Sequence, residues 1–249
     1  MGGPAGPPAW FESAFGPLYT EIYQHRDEEE ARAAVTMLGA RGLSGPVLDI
    51  GSGTGRHLAA LAELGLSAVG LDLSCHLLRE AAVRSPGRVL RGDMRQLPFA
   101  DAAFGSALSM FTTFGYFAEA AENRRVLTEA ARVVRTGGLL AIDYFNPVRT
   151  VADLSPESTR FVGRYDVIEK RRVESDARGD RLVKTIDVFE ETRLVDRMRE
   201  EVRIYPMAEL VREVESSGWR DPVRLGDYEG HPFDSASSPR LIILARRNG

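Results

Sequence analysis

Between residues 46 and 145, short apolar runs alternate with amphipathic segments. The run at 46–50 leads into a glycine-rich segment followed by apolar positions at helical spacing, which predicts a buried strand, a tight turn and a helix. Four later apolar runs predict further strands: 67–73, 88–94, 106–111 and 139–145. Residues 119–136 show the pattern of an amphipathic helix that ends at the glycine pair 137–138. Strands that alternate with helices predict an α/β fold with a mostly parallel sheet.

Residues 159–204 follow a different pattern, in which apolar and polar positions alternate as in strands with one wet face. Three candidate strands fall at 161–173, 181–189 and 194–205. We expect an antiparallel insert that acts either as a substrate cover or as the surface of a homodimer. Its 12 basic and 11 acidic side chains over 160–203 balance each other, whereas a nucleic-acid-binding face needs charge of one sign.

The two ends of the chain complete the predicted order of elements. Residues 28–41 predict a helix ended by Gly42, and residues 206–217 predict the last long helix. Two final strands are expected at 223–228 and 240–246. The predicted organisation is listed by residue range: an N-terminal lid and leading helix over 1–45, a core over 46–158 and 205–249, and the insert over 159–204.

The glycine-rich segment predicts a ligand site. Glycine allows a turn with positive φ and a close backbone approach to a ligand, and the helix that follows offers unpaired N–H groups. A nucleotide-triphosphate loop needs Lys before Ser or Thr at its end, but here Arg56 and His57 follow Gly55. The dinucleotide pattern fits Gly51 and Gly53, yet its sixth position holds the bulky Arg56.

The pattern that is present is Asp-x-Gly-x-Gly-x-Gly over residues 49–55, and it resembles motif I of the class I S-adenosylmethionine-dependent methyltransferases. The resemblance is strong over 46–145 and weaker over 205–247. It implies a Rossmann-like, seven-stranded sheet that is mostly parallel with an antiparallel last strand, and an antiparallel insert after strand five. It also implies S-adenosylmethionine as the cofactor and a small-molecule methyl acceptor, such as a natural-product intermediate, as the partner.

The resemblance assigns cofactor contacts to the tips of the predicted strands. Asp72 lies 21 residues beyond Gly51 and matches the acid that binds the ribose hydroxyls, although it could instead be a turn residue ahead of the helix cap Ser74. Asp93 and Met94 match the adenine-binding pair. The complete predicted cofactor set is Tyr19, Tyr23, Asp49, Gly51, Gly53, Gly55, Asp72, Leu73, Asp93, Met94 and Met110.

An aromatic-rich segment precedes the first strand, and Tyr19 and Tyr23 lie four residues apart on one helical face. These aromatics either pack over the sheet edge or form a lid over the cofactor. The exit of strand four has no Asn/Asp-Pro-Pro-Tyr/Phe segment of the kind that methyltransferases of base amines carry, and its aromatics suit an apolar small-molecule pocket. The predicted acceptor-binding residues are Phe114, Tyr116, Tyr144 and Asn146.

Transfer from a sulfonium needs a base only if the acceptor loses a proton during attack. Among the four histidines, His231 lies in the loop between the last two strands, near the expected carboxyl end of the sheet, and is the candidate base. A solvated loop histidine is the alternative, with Tyr116 or Tyr144 orienting the acceptor. His25 falls in the predicted lid, and no metal is predicted.

Composition limits the remaining classes of function. The formal net charge of −4 argues against nucleic acid as a partner, and no apolar run is long enough to span a membrane. The first nine residues, expected to be disordered, lack the features of a secretory signal. The single cysteine, Cys75, excludes an internal disulfide and favours the cytoplasm. Three alternatives stay open: an RNA methyltransferase, a nicotinamide-dependent oxidoreductase and a non-catalytic S-adenosylmethionine-binding protein.

Overall fold

The computed structural model describes residues 10–23, 28–85 and 88–249. The predictions for residues 1–9 and for His25 lie outside them. The helices within the described residues are α1 (Trp10–Ser13), α2 (Pro17–Ile22), α3 (Glu28–Ala40), α4 (Arg56–Glu63), α5 (Cys75–Arg84), α6 (Ala120–Val133), α7 (Pro147–Ala152) and α8 (Met207–Ser216). The strands are β1 (Val47–Ile50), β2 (Ala68–Asp72), β3 (Val89–Arg91), β4 (Phe104–Ser109), β5 (Val134–Phe145), β6 (Glu157–Val162), β7 (Tyr165–Asp176), β8 (Gly179–Glu190), β9 (Arg193–Arg203), β10 (Trp219–Leu225) and β11 (Arg240–Arg247).

The larger sheet of the described chain has seven strands in the order β10-β11-β5-β4-β1-β2-β3. Neighbours from β5 to β3 pair in parallel, and β11 pairs antiparallel with both β10 and β5. This arrangement confirms the predicted Rossmann-like sheet with an antiparallel last strand. The carboxyl ends of β1 to β5 therefore meet at one edge, where open α/β sheets bind their ligands.

Helices cover both faces of this sheet because its central strands are apolar on both sides. Leu140 and Ile142 of β5 pack with α6 and α8, whereas Leu139 and Ala141 pack with α3 and α4. Successive strand residues point to opposite faces, so one strand contributes to both cores. No helix among the described residues is long and apolar enough to cross a bilayer.

One predicted boundary is wrong. Helix α6 ends at Val133, and β5 begins at Val134, so the glycine pair lies inside the strand and does not end the helix. Val134 pairs with Phe104 of β4, and the register then shifts. Gly138 fits there because a Cβ at this position would lie 2.6 Å from the carbonyl oxygen of Gly105.

The insert after strand five is a separate antiparallel sheet in the order β6-β7-β8-β9, which confirms the predicted insert. The single strand predicted over 161–173 is corrected to parts of β6 and β7. The turn between them includes Gly163, whose φ of 58° reverses the chain within an otherwise alternating pattern. One face of the insert packs on the N-terminal segment, where Tyr19 and Ile22 contact a cluster that includes Val167 and Ile186.

Candidate functional site

A cavity of about 620 Å³ opens at the carboxyl ends of β1 to β4 and is covered by the aromatic residues of α1 and α2. Its volume lies in the range of small-molecule and cofactor sites, roughly 300–1,000 Å³. Nine of the eleven predicted cofactor residues line this cavity: Tyr19, Tyr23, Gly51, Gly53, Asp72, Leu73, Asp93, Met94 and Met110. The glycine loop and the tips of β2, β3 and β4 therefore share one cavity.

The glycine loop between β1 and α4 has the backbone that its sequence predicts. Gly51, Gly53 and Gly55 have φ values of 71°, 55° and 80°. Gly51 and Gly53 line the cavity, and a side chain at position 51 would collide with Thr113. Among the residues described, Gly55 lies outside the lining and instead permits close packing of α4 on α5, since its Cβ would lie 3.0 Å from that of Ala81.

Asp72 at the end of β2 has two structural partners as well as its place in the cavity wall. Its carboxylate accepts hydrogen bonds from the backbone N–H of Gly53 at 2.9 Å and of Ser74 at 2.8 Å. Burial raises the pKa of Asp72, and these hydrogen bonds oppose the rise. Ser74 caps α5 by accepting from Leu77, as the sequence predicts. Each carboxylate oxygen has capacity for a second donor.

Asp49 lies two residues before the glycine loop and is buried, with 1% exposure. Neither carboxylate oxygen has a hydrogen-bond partner within the described part of the chain. Burial raises the pKa of Asp49 to about 7, although the positive charge of Arg56 opposes this. The prediction that Asp49 contacts the cofactor is corrected, because among the described residues Asp49 lies outside the cavity lining.

The end of β3 contributes an acid that already belongs to an ion-pair network. Asp93 lines the cavity and pairs with Arg95 at 2.6 Å, and Arg95 also pairs with Glu122. Burial opposes ionisation, but the hydrogen bonds from Arg95 hold the pKa of Asp93 below its usual value. Asp93 is therefore an ionised hydrogen-bond acceptor beside Met94, which also lines the cavity.

Of the four predicted acceptor-binding residues, the structure places only Tyr116 in the cavity lining formed by the described residues. Phe114 is buried in the core, with its ring 5.5 Å from that of Tyr205. The buried hydroxyl of Tyr144 donates to the carbonyl oxygen of Arg203. Asn146 caps α7 and donates to the carbonyl oxygens of two residues in the loop before β11. The predictions for Phe114, Tyr144 and Asn146 are corrected to structural roles.

His231, the predicted base, lies on an exposed loop. Its side chain is 65% exposed and its Nδ1 is 2.8 Å from the Asp227 carboxylate. That hydrogen bond raises the pKa of His231. Among the described residues, the cavity lining includes His57 rather than His231. The base assigned to His231 is therefore corrected to a solvated loop histidine, the alternative that the sequence left open.

His57 also lines the cavity, whereas its place in the first turn of α4 predicts helix capping or solvent contact. It is 4% exposed, and its Nε2 has no hydrogen-bond partner in the described chain. Burial, together with the positive charges of Arg56 and Arg240, lowers the pKa of His57 to about 3. The imidazole is therefore neutral at physiological pH and is a poor proton acceptor.

Aromatic residues form most of the cover over the cavity. Phe11, Phe15, Tyr19 and Tyr23 from the N-terminal segment line it together with Tyr116. Their rings contact one another, with centroids 4.9 Å apart for Phe15 and Tyr19 and 4.7 Å apart for Tyr19 and Tyr23. The sequence showed the density of aromatics but not which rings face the ligand space.

Polar contacts attach this cover to the insert. The Tyr23 hydroxyl donates to Glu169 at 2.7 Å and accepts from Lys184 at 3.1 Å. Arg160 donates to the carbonyl oxygen of Ile22 at 2.7 Å, at the end of α2. The N-terminal segment, which lines the cavity, thus also contacts the insert.

Comparisons with known proteins agree with this architecture. A family model described as a methyltransferase domain matches residues 48–142. A dTDP-3-amino-3,6-dideoxy-alpha-D-glucopyranose N,N-dimethyltransferase of Streptomyces fradiae is 32% identical over 146 residues, which cover 56% of each protein. A demethylmenaquinone methyltransferase of Corynebacterium kroppenstedtii is 31% identical over 177 residues, which cover 70% of this chain and 68% of that protein.

A solved structure, the CcbJ methyltransferase from Streptomyces caelestis, has the same fold, with a TM-score of 0.74 and 22% identity over 88% of this chain and 95% of that one. The chain spans just over half the length of the Streptomyces fradiae relative. The glycine loop and the strand order agree with the Corynebacterium match, which covers more than two thirds of both proteins. The chain therefore belongs to the class I S-adenosylmethionine-dependent methyltransferase family.

Proposed function

We propose that this protein transfers the methyl group of S-adenosylmethionine to a nitrogen, oxygen or carbon nucleophile of a small molecule. One observation carries the proposal: a single cavity joins the glycine loop, the tips of β2 and β3, and an aromatic cover. Such a cavity has room for a cofactor along the strand tips and an acceptor at the exit of β4. With a single cysteine, we propose the cytoplasm as its location.

The described residues fit the cofactor. The backbone at Gly51 and Gly53 has no side chain facing the ligand space, so the methionine part can approach the loop closely. Asp72 offers acceptor capacity for the ribose hydroxyls, and Asp93 and Met94 offer an acceptor and an apolar contact for adenine. Tyr19 and Tyr23 would close this space as part of the N-terminal lid that precedes the leading helix α3.

For the acceptor, we propose an intermediate of natural-product biosynthesis, with the amine of an amino sugar as the first class to test. The Streptomyces fradiae relative supports this choice, because its name describes methylation of an amino-sugar nitrogen. The insert, residues 159–204, would act as a cover for the acceptor, since it packs on the N-terminal segment that lines the cavity.

S-Adenosylmethionine supplies a methyl group on a sulfonium, and the leaving thioether is neutral. The residues of this chain therefore act mainly by orientation, which can supply roughly 7–11 kcal/mol of the barrier. Neither the exposed His231 nor His57, with its lowered pKa, is placed to act as a strong base. An amine acceptor would bind unprotonated and lose its extra proton to solvent after transfer. We therefore expect the pH dependence of the rate to follow the pKa of the acceptor amine.

The direct test incubates the purified protein with S-adenosylmethionine and a panel of amino-sugar nucleotides, phenols and quinols, with mass spectrometry of both products. We expect one S-adenosylhomocysteine for each methyl group that appears on the amine. A protein that binds the cofactor yet methylates no member of a broad panel would support a non-catalytic binding role instead. Formation of S-adenosylhomocysteine without any methylated acceptor would show hydrolysis and contradict the proposal.

A further inference from the structure

The exit of β4 contains two successive non-glycine residues in the left-handed region, Phe111 with φ 54° and Thr112 with φ 61°. Residues other than glycine rarely adopt this backbone conformation, and it persists only where surrounding contacts impose it. Such backbone strain clusters at functional sites, and Phe111 lines the cavity. Contacts from neighbouring residues must therefore hold Phe111 and Thr112 in this conformation.

Asp143 of β5 supplies two of these contacts. Its carboxylate accepts from the backbone N–H of Phe111 at 2.9 Å, and its backbone carbonyl accepts from the N–H of Thr112 at 2.8 Å. The residue is fully buried, with 0% exposure. A buried carboxylate of this kind needs partners that balance its charge.

Two residues from the C-terminal part of the chain are these partners: Arg240 balances the charge, and Tyr228 adds a hydrogen bond. Arg240, the first residue of β11, donates to both carboxylate oxygens of Asp143, at 2.7 Å for its Nη2 contact. The Tyr228 hydroxyl donates to the same carboxylate at 2.7 Å. Tyr228 comes from the loop that carries His231, so this loop contributes to the site through its tyrosine rather than its histidine.

The turn held in this way forms one wall of the cavity. The Phe111 ring contacts two guanidinium groups. Its centroid lies 3.5 Å from the Cζ of Arg56 and 4.7 Å from the Cζ of Arg240. Thr113 packs so closely on Gly51 that a side chain there would collide with it. A change of φ at Phe111 or Thr112 would therefore move the wall that faces the glycine loop.

We propose that Asp143, Arg240 and Tyr228 form a clamp that holds the exit of β4 in the left-handed conformation and thereby positions the acceptor against the cofactor. Within the described residues these three lie behind the cavity lining, so they are positioning residues. The kinetic consequence rests on the proposed methyl transfer, whereas the effect on the backbone does not.

The test uses Tyr228→Phe, which removes one hydrogen bond and keeps the ring, and Thr112→Gly, which makes the left-handed conformation accessible without strain. Thr112 is absent from the cavity wall that the described residues form, so this change removes no lining group. Ala102→Gly is the matched control, because Ala102 also has a positive φ, 55°, but lies in an exposed turn ahead of β4.

We expect Tyr228→Phe to reduce hydrogen-exchange protection of the Phe111 and Thr112 amides by at least about tenfold and to raise KM for the acceptor, with the Kd for S-adenosylhomocysteine within about threefold of wild type. Adding Thr112→Gly should restore the low KM, whereas adding Ala102→Gly should not. Unchanged protection in Tyr228→Phe would overturn the clamp, as would equal effects of the two glycine substitutions. The exchange measurement needs no acceptor, so it separates failure of the clamp from failure of the proposed function.

Discussion

Asp72 provides the sharpest test of how the cavity holds its cofactor. Its carboxylate already accepts from the backbone N–H groups of Gly53 and Ser74, so it could act on the ligand directly or only by shaping the loop. The substitution Asp72→Asn keeps the size of the side chain but leaves one acceptor oxygen in place of two. The amide therefore cannot serve both N–H groups and the ribose hydroxyls.

The expected loss follows from these contacts. A hydrogen bond to a charged group contributes about 1.5–3 kcal/mol, which corresponds to a loss of about 10- to 150-fold in Kd if one ribose contact disappears. Burial raises the pKa of Asp72 in the free protein, so affinity should also fall as the pH drops through that raised value and the carboxyl becomes protonated. In Asp72→Asn, this part of the pH dependence should vanish.

The assay is calorimetry with S-adenosylhomocysteine and with an analogue whose ribose lacks both hydroxyls. Asp72→Asn should weaken S-adenosylhomocysteine by the factor above and should barely affect the analogue. Asp93→Asn is the matched control: it should weaken both ligands equally, because the adenine is the same in both. If Asp72→Asn weakened the affinity for both ligands equally, the ribose contact would be refuted. Asp72 would then act only by holding the backbone at Gly53.

Three further predictions concern other parts of the site. Asp49→Asn should raise the free energy of unfolding at pH 8 by at most roughly 4 kcal/mol and should have little effect at pH 4. The reason is that a buried carboxyl with a pKa raised to about 7 destabilises the fold only as the pH rises from the carboxyl pKa of the unfolded chain through 7. Chemical denaturation at both pH values measures this, and an equal effect at both would contradict it. Tyr23→Phe should lower hydrogen-exchange protection of residues 17–22 and abolish the gain in protection that bound S-adenosylhomocysteine gives, because it breaks the contacts with Glu169 and Lys184. Equal protection with and without ligand in the wild type would contradict a lid and show that these aromatic residues only pack against the protein. His231→Asn should leave the transfer rate within about twofold of wild type at every pH, and a large fall with cofactor affinity intact would restore His231 as the base.

The cofactor side of the site could be predicted from the sequence because its determinants are local. The loop needs glycine at positions of positive φ. Asp72 follows directly after an apolar run, and Asp93 comes three residues after Leu90, the last apolar residue of a shorter run. Once the strands are parallel neighbours, their carboxyl ends meet at one edge, so Asp72 and Asp93 share a cavity without any knowledge of side-chain packing.

The acceptor side could not be predicted in this way, because it depends on which way each side chain points. Residues of a strand alternate between faces, and Tyr144 shares the core face of Leu140 and Ile142. The sequence therefore predicts correctly that Tyr144 lies near the carboxyl end of its strand. It does not predict that the side chain points into the core, where it packs against Tyr205. Asn146 follows the strand, and its side chain is used as a helix cap.

Long-range contacts explain the remaining differences. Tyr228 and Arg240 reach Asp143 across 85 and 97 residues of sequence, and no local pattern marks them as a group. The sequence does not reveal the turn at Gly163, because apolar and polar residues alternate through β6 and β7 on both sides of it. The only sequence signal for the clamp was an acid at the end of the apolar fifth strand.

The central claim is that the cavity at the tips of β1 to β4 is the cofactor site. A crystal structure of the protein with saturating S-adenosylhomocysteine tests it most directly. The account predicts ribose hydroxyls at hydrogen-bond distance, about 2.6–3.2 Å, from the Asp72 carboxylate, the adenine beside Asp93 and Met94, and the sulfur facing the turn at Phe111. Ligand density elsewhere, or ribose hydroxyls without contact to Asp72, would contradict it.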